Sequence, residues 1–218
     1  YNYTDVDDKI INKAKDEGKL PLEISEFFIK EYEQDFKRLG LTEHEFNPKV
    51  SDYIDQIIKF IQDLVDNGSA YVIEGEVFFE IDTFENYGKL SGKKLEDLEA
   101  GQRVEVDQRK KNPFDFVLWK PSNIEGAKWS SPWGEGRPGW HIECSAMIQE
   151  ILGETIDIHG GGIDLIFPHH ENEICQGEGR TGKTYCNYWM HNDFLNMKDE
   201  KMSKSLGNII TGRSFMDK

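Results

Sequence analysis

Long apolar runs, positive charge and cysteine are all scarce in this chain of 218 residues. No apolar stretch approaches the roughly 20 residues that a membrane-spanning helix needs. The opening residues Tyr1-Asn2-Tyr3-Thr4-Asp5 lack the basic and apolar regions of a secretory leader and read as an internal stretch. Three cysteines (Cys144, Cys175 and Cys186) do not make a disulfide framework, which points to a reducing cytoplasm. The formal net charge is −15, so the surface as a whole does not attract phosphate. Any nucleic-acid contact then needs a local basic patch or a further domain. What is present, 37% hydrophobic and 31% charged residues, suits a soluble globular protein with a core.

The first third reads as helical. Ile29, Tyr32, Phe36 and Leu39 fall on one helical face that stops at Gly40. In a second helix, Ser51 is placed to cap, Ile54, Ile57, Ile58, Ile61, Leu64 and Val65 stripe one side, and Gly68 closes. Tyr71-Val72-Ile73 and Val77-Phe78-Phe79 then flank Glu74-Gly75 as a hairpin, and Phe114 to Trp119 reads as another strand. Residues 121–139, rich in Gly, Pro, Ser and Trp, read as an ordered irregular loop. From Gly139 onward helix and strand alternate: a helix over Ser145–Leu152, a strand at Thr155–Ile158, a glycine turn at His159–Gly162, and a helix from Pro168. That alternation predicts an α/β fold with a parallel sheet and ligands at the carboxyl ends of its strands.

Three groups could carry chemistry. Cys144, His169 and Glu173 offer sulfur, nitrogen and carboxylate, a donor set that suits tetrahedral zinc. His169 and Glu173 are four apart on a predicted helix, and Cys144 is placed at the start of another, where the dipole favours a thiolate. On spacing alone the signal is weak, and a buried small cysteine with an ordinary helical histidine is the more frequent reading. Gly177 to Thr184 fits the phosphate-loop pattern letter by letter, but a polar helix precedes it and a strand-like stretch follows. The expected reading there is a surface connection. Lys201-Met202-Ser203-Lys204-Ser205-Leu206-Gly207-Asn208 places two lysines on a short loop able to close on a polyphosphate, or simply to form a solvated turn.

The string Lys201 to Ser205 resembles the signature loop of class I aminoacyl-tRNA synthetases. Gly136 to Met147, His159 to Glu173 and Thr4 to Ile10 are similar to the cysteinyl-tRNA synthetase family in particular, in order along nearly the whole chain. The resemblance implies the second half of a Rossmann-like α/β class I catalytic domain with an inserted α+β connective subdomain. Its parts are a helical part at 1–50, the inserted subdomain at 51–135, and the sheet half at 136–218. It implies an ATP-dependent ligase that activates L-cysteine and loads it onto tRNA(Cys), as a cytoplasmic monomer with one zinc per chain and ATP with Mg as substrate. Cys144, His169 and Glu173 match three of the family's four zinc ligands, and substrate thiolate on that zinc discriminates against serine. Thr4 and Trp140 match positions near the amino-acid pocket, with Trp140 equally readable as a core aromatic. His159, Gly161 and Asp164 match the adenosine-binding strand end; Lys201 and Lys204 match the catalytic loop, with Lys204 contacting ATP. His170, Cys175, Cys186 and His191 read as structural. The family's first zinc-ligand cysteine, its His-x-Gly-His motif and its anticodon-reading helical domain do not occur here, so the chain reads as a fragment expected to be inactive alone. A paralogous cysteine ligase acting on an amino sugar and a non-enzymatic zinc or nucleotide module are the rival readings.

Overall fold

A computed structural model describes residues 1–93, 107–197, 200–202 and 207–217. Helix α1 (Asp8–Glu17) is capped by Asp7, whose carboxylate accepts from the Lys9 N–H at 2.8 Å. Helix α2 (Pro21–Arg38) starts on a proline, and Gly40 follows it at a φ of 74°. Of its expected apolar face, Ile29 is buried, Tyr32 and Phe36 pack ring on ring, and Leu39 is exposed.

Helix α3 (Ile54–Asp66) buries Ile54, Ile57, Phe60, Ile61 and Leu64, with Ile58 and Val65 at the margin. Ser51 does not cap it. That residue lies in the preceding turn Val50–Asp52, where its N–H and hydroxyl donate to Asp5 at 3.1 and 2.5 Å. A buried carboxylate has no water to turn to and claims those donors more strongly than a solvated helix start does.

Strands β1 (Ala70–Ile73) and β2 (Glu76–Phe79) form the expected hairpin across Glu74-Gly75, both at positive φ (51° and 86°). Strand β3 (Phe116–Pro121) pairs with β2, and β4 (Gly136–Pro138) pairs with β3, giving an antiparallel sheet in the order β1-β2-β3-β4. Stretch 121–139 therefore holds a short strand rather than loop alone. Bare backbone makes this possible: a Cβ at Gly136 would lie 2.4 Å from the Trp119 indole nitrogen, and one at Gly139 would lie 2.1 Å from the Val117 carbonyl.

Helix α4 (Trp140–Leu152) begins more than a turn before the expected Ser145, because the Gly139 N–H is tied to the Leu118 carbonyl (2.8 Å) and releases the chain into helix at Trp140. Cys144 is thus the fifth helical residue, outside the turn where the dipole favours a thiolate. Strand β5 (Ile156–Gly162) runs straight through the glycines that were expected to turn. A parallel partner, β6 (Cys186–Asn192), holds them extended, with Gly160 opposite Met190 and Gly161 opposite His191. A wide helical turn, Ile166–His170, is broken at Phe167, which keeps extended φ and ψ, so helical backbone resumes after the break at Pro168 and runs into helix α5 (Glu171–Thr181). The unit β5–α5–β6 is the parallel crossover of an α/β fold. Residues 177–181 of the phosphate-loop lookalike are the end of α5, and Gly182 closes the helix at a φ of 68°. Only its second half is surface connection.

Strands β7 (Asn196–Met197) and β8 (Glu200–Lys201) form a small antiparallel pair, and α6 (Gly212–Met216) returns to α2, where Arg213 meets Glu31 and Asp35 at 2.7 and 2.8 Å. One core joins α3 to Ile142, Ala146 and Met147 of α4, to Val77, Phe79, Leu118 and Trp119 of the sheet, and to Cys175 of α5. Replacing Ile57 by alanine is expected to cost about 2–5 kcal/mol. The same change at the marginal Ile58 is expected to cost clearly less, and paired urea melts check the difference.

Candidate metal centre

Helices α4 and α5 lie against each other, and each brings part of one buried cluster. Cys144 from α4, His169 from the turn before α5 and Glu173 from α5 place Sγ, a ring nitrogen and a carboxylate oxygen within 4.8 Å of one another. His169 Nε2 stands 3.0 Å from Glu173 Oε1, across the four-residue spacing read from the sequence. His169 Nδ1 meets His141 Nδ1 at 2.9 Å, and Trp140 stacks on the His169 ring at 4.4 Å between centroids. Asn2 donates its side-chain amide to the Cys144 sulfur at 3.6 Å, so the first residues of the chain reach the cluster too.

The two oxygens of Glu173 are not alike. Oε2 lies 2.9 Å from His159 Nε2 and accepts from the Tyr185 hydroxyl at 2.8 Å. Oε1 is enclosed with no aligned hydrogen bond. Burial alone would raise the Glu173 carboxyl, but the imidazoles of His159 and His169 outweigh it and hold the group well below the ordinary carboxylate range. Burial, together with His169, pushes His141 down to about 3, and burial pushes His170 down to about 4. Burial first, then the negative field of Glu173 and Glu143, drives the Cys144 thiol up, against the Asn2 amide.

These features fit a divalent metal. An orphaned, fully buried carboxylate oxygen faces an imidazole nitrogen and a thiol that only a cation would hold as thiolate. Sulfur, nitrogen and oxygen donors together suit zinc, and three of them leave at least one coordination position open.

The remaining expected residues are distributed around this cluster. Trp140, 47% exposed, stacks on His169 and also lies against His141, with 5.2 Å between ring centroids. Thr4 lies in the same opening segment as Asn2, beside a shallow cavity of about 360 Å³ with Tyr1, Ile10 and Phe28. His159 sits in the middle of β5 with its ring on Trp189 (4.8 Å) and its Nε2 on Glu173, so it is part of the buried cluster around that carboxylate. Beside Gly161 the space is filled by His170, whose ring a Cβ would meet at 2.8 Å. Asp164 is exposed in the turn Ile163–Leu165. Lys201 lies in β8; Lys204, with its neighbours 203–206, lies outside the described residues. His170 and His191, read as structural, meet at 2.8 Å beside Trp189. Sequence reasoning missed His141, Tyr185 and Asn2, since none shares a helical repeat or a motif with its partner here.

The family described as tRNA synthetases class I (C) catalytic domain matches residues 1–218. The chain belongs to this family. Its fold is accordingly the α/β fold of a class I synthetase catalytic domain. Among curated relatives, the cysteine–tRNA ligase of Bdellovibrio bacteriovorus is 57% identical over 216 residues, covering 99% of this chain and 45% of that protein. The cysteine–tRNA ligase of Clostridioides difficile is 58% identical over 214 residues, covering 98% and 46%, and that of Carboxydothermus hydrogenoformans is 55% identical over 217 residues, covering 100% and 47%. The class I chain thus spans about half the length of the curated relatives it matches. Among the described residues no helix is long and apolar enough to cross a membrane.

A histidine or carboxyl whose folded pKa lies below its unfolded one stabilises the fold above the unfolded value and loses that contribution as pH falls. For His141 and His170 the loss starts below about pH 6.5, and for Glu173 below about pH 4.3. The metal-free protein should therefore melt at progressively lower temperature from pH 7 to pH 4. His141→Phe should flatten the upper part of that decline in thermal melts; a wild-type curve level between pH 7 and 4.5 would contradict the burial argument.

Proposed function

We propose that the protein of which this chain is part is a cysteine–tRNA ligase, joining the carboxylate of L-cysteine to the α-phosphate of ATP and then passing the cysteinyl group to tRNA(Cys). The observation that carries this reading is the convergence of Cys144, His169 and Glu173 in one buried cluster of a class I synthetase chain more than half identical to cysteine–tRNA ligases. Cys144 Sγ, His169 Nε2 and Glu173 Oε1 would hold zinc, and zinc there supplies a Lewis acid that favours a thiolate ligand over a hydroxyl. Trp140, stacked on His169, and Thr4, in the opening segment that Asn2 ties to Cys144, would contact the amino acid.

His159, Gly161 and Asp164 mark the strand end assigned to the adenosine, with the exposed Asp164 carboxylate available to ribose hydroxyls. Because His159 is engaged with Glu173 and His170 fills the space at Gly161, Asp164 and the open side of Gly160 bear most of that role. Lys201 and Lys204 belong to the loop that would close over the phosphates, neutralising charge as pyrophosphate leaves. Catalysis then rests on orientation and charge rather than on a covalent enzyme intermediate. Segment 51–135 is the connective subdomain of this arrangement, and the protein is read as a cytoplasmic monomer.

The test is ATP–pyrophosphate exchange by the full-length protein with cysteine and then serine. Exchange with cysteine alone, followed by charging of tRNA but not of a small amine, is the expected result; no cysteine-dependent exchange would overturn it. Cys144→Ala should lower both zinc content and exchange at least tenfold, on the scale that losing a supporting group of a metal centre already reaches. Metal analysis and kinetics on one preparation check both.

A further inference from the structure

We propose that Tyr185 is a positioning residue of the metal centre: with His159 it fixes Oε2 of Glu173, so that Oε1 is the oxygen presented to Cys144 and His169. This rests on the zinc reading above.

A glutamate carboxylate turns about a soft, roughly two-fold torsion, so on its own either oxygen, or both, can face a cation. Here the ambiguity is lifted. Oε2 is engaged by the Tyr185 hydroxyl at 2.8 Å and by His159 Nε2 at 2.9 Å, whereas Oε1 has no aligned partner and faces His169 Nε2. Tyr185 and His159 both hold Oε2, which leaves Oε1 to the His169 imidazole, one of the three candidate ligands.

Tyr185 can do this because its own position is over-determined. Its side chain is wholly buried, its N–H donates to Glu178 Oε1 at 3.1 Å, and its carbonyl accepts from the Ile156 N–H at 3.0 Å. The ring occupies a notch in α5 at Gly177, where a Cβ would stand 2.3 Å from it. Gly177 is one helical turn after Glu173 on the same face, so a ring seated there points its hydroxyl along the helix to the carboxylate. A glycine inside a helix costs about 1 kcal/mol relative to alanine, and the close approach of this ring is the physical reason for one here. Buried tyrosine hydroxyls commonly find some partner. What singles this one out is that its partner is a carboxylate whose other oxygen faces a candidate metal ligand, His169.

Tyr185→Phe in the full-length protein removes the hydroxyl and keeps the ring in its notch. The expected result is a zinc dissociation constant raised about 10- to 100-fold, a changed visible spectrum of the cobalt-loaded protein, and a raised KM for cysteine with the KM for ATP unaltered. The metal-free form loses one hydrogen bond to a buried carboxylate and should melt somewhat lower, so zinc affinity and the cobalt spectrum of the folded variant are the readouts that a merely structural role would not move. Wild-type affinity in the variant overturns the role of Tyr185 and leaves the zinc reading standing. A wild-type protein that takes up no zinc overturns both. Should Tyr185→Phe fail to fold, the second bond to the same oxygen decides: His159→Gln, which keeps a donor, should hold zinc more tightly than His159→Ala, and equal affinities would overturn the proposal.

Discussion

A carboxylate taken wholly out of water must be met by charge or by hydrogen bonds, at a cost of several kcal/mol if it is not. Glu173 is in that position, and much of the surrounding structure is arranged as the answer. His169 reaches it from the turn before its own helix, His159 from β5 and Tyr185 from the entry to β6. Five of the six histidines of the chain gather near it, ring against ring with Trp140 and Trp189, and so exclude water from one side of the cluster.

The same need explains why α5 is a polar helix that is also a buried one. Glu171 accepts the Ser91 N–H at 2.8 Å, Asn172 accepts the Tyr87 hydroxyl at 2.8 Å, and Gln176 donates to the His141 carbonyl and to Ser145. Each bond fastens α5 to a different part of the chain, so the helix that carries Glu173 cannot slide without leaving several buried polar groups unpaired. The apolar core is a brace of another kind. The α3 stripe packs on Ile142 and Met147 and sets α4, and with it Cys144, at the right depth.

Close approaches of bare backbone tighten this frame at Gly136, Gly139, Gly161 and Gly177. None of the four needs positive φ. They are glycine because something else, an indole, a carbonyl, an imidazole or a phenol, occupies the place of a side chain. A phosphate-loop pattern that includes Gly177 and Gly179 arises within such a helix by coincidence of letters, without the strand that would give it meaning.

Local chemistry was legible from the chain alone: the α3 stripe, the Glu74-Gly75 turn, the α5 pairing of His169 with Glu173 at four residues, and the motifs that place the chain among class I synthetases. Those are short-range properties, set by helical periodicity, turn conformation and residue type. The sequence did not disclose that Ser51 serves Asp5 rather than a helix, that the glycines after His159 are strand, or that α4 starts at Trp140. Each of those outcomes depends on a partner far along the chain: a buried carboxylate, a parallel neighbour strand, a carbonyl of β3. Only the tertiary structure decided that Tyr185 lies under Glu173, because a hydrogen bond between groups from different elements leaves no periodic trace in sequence.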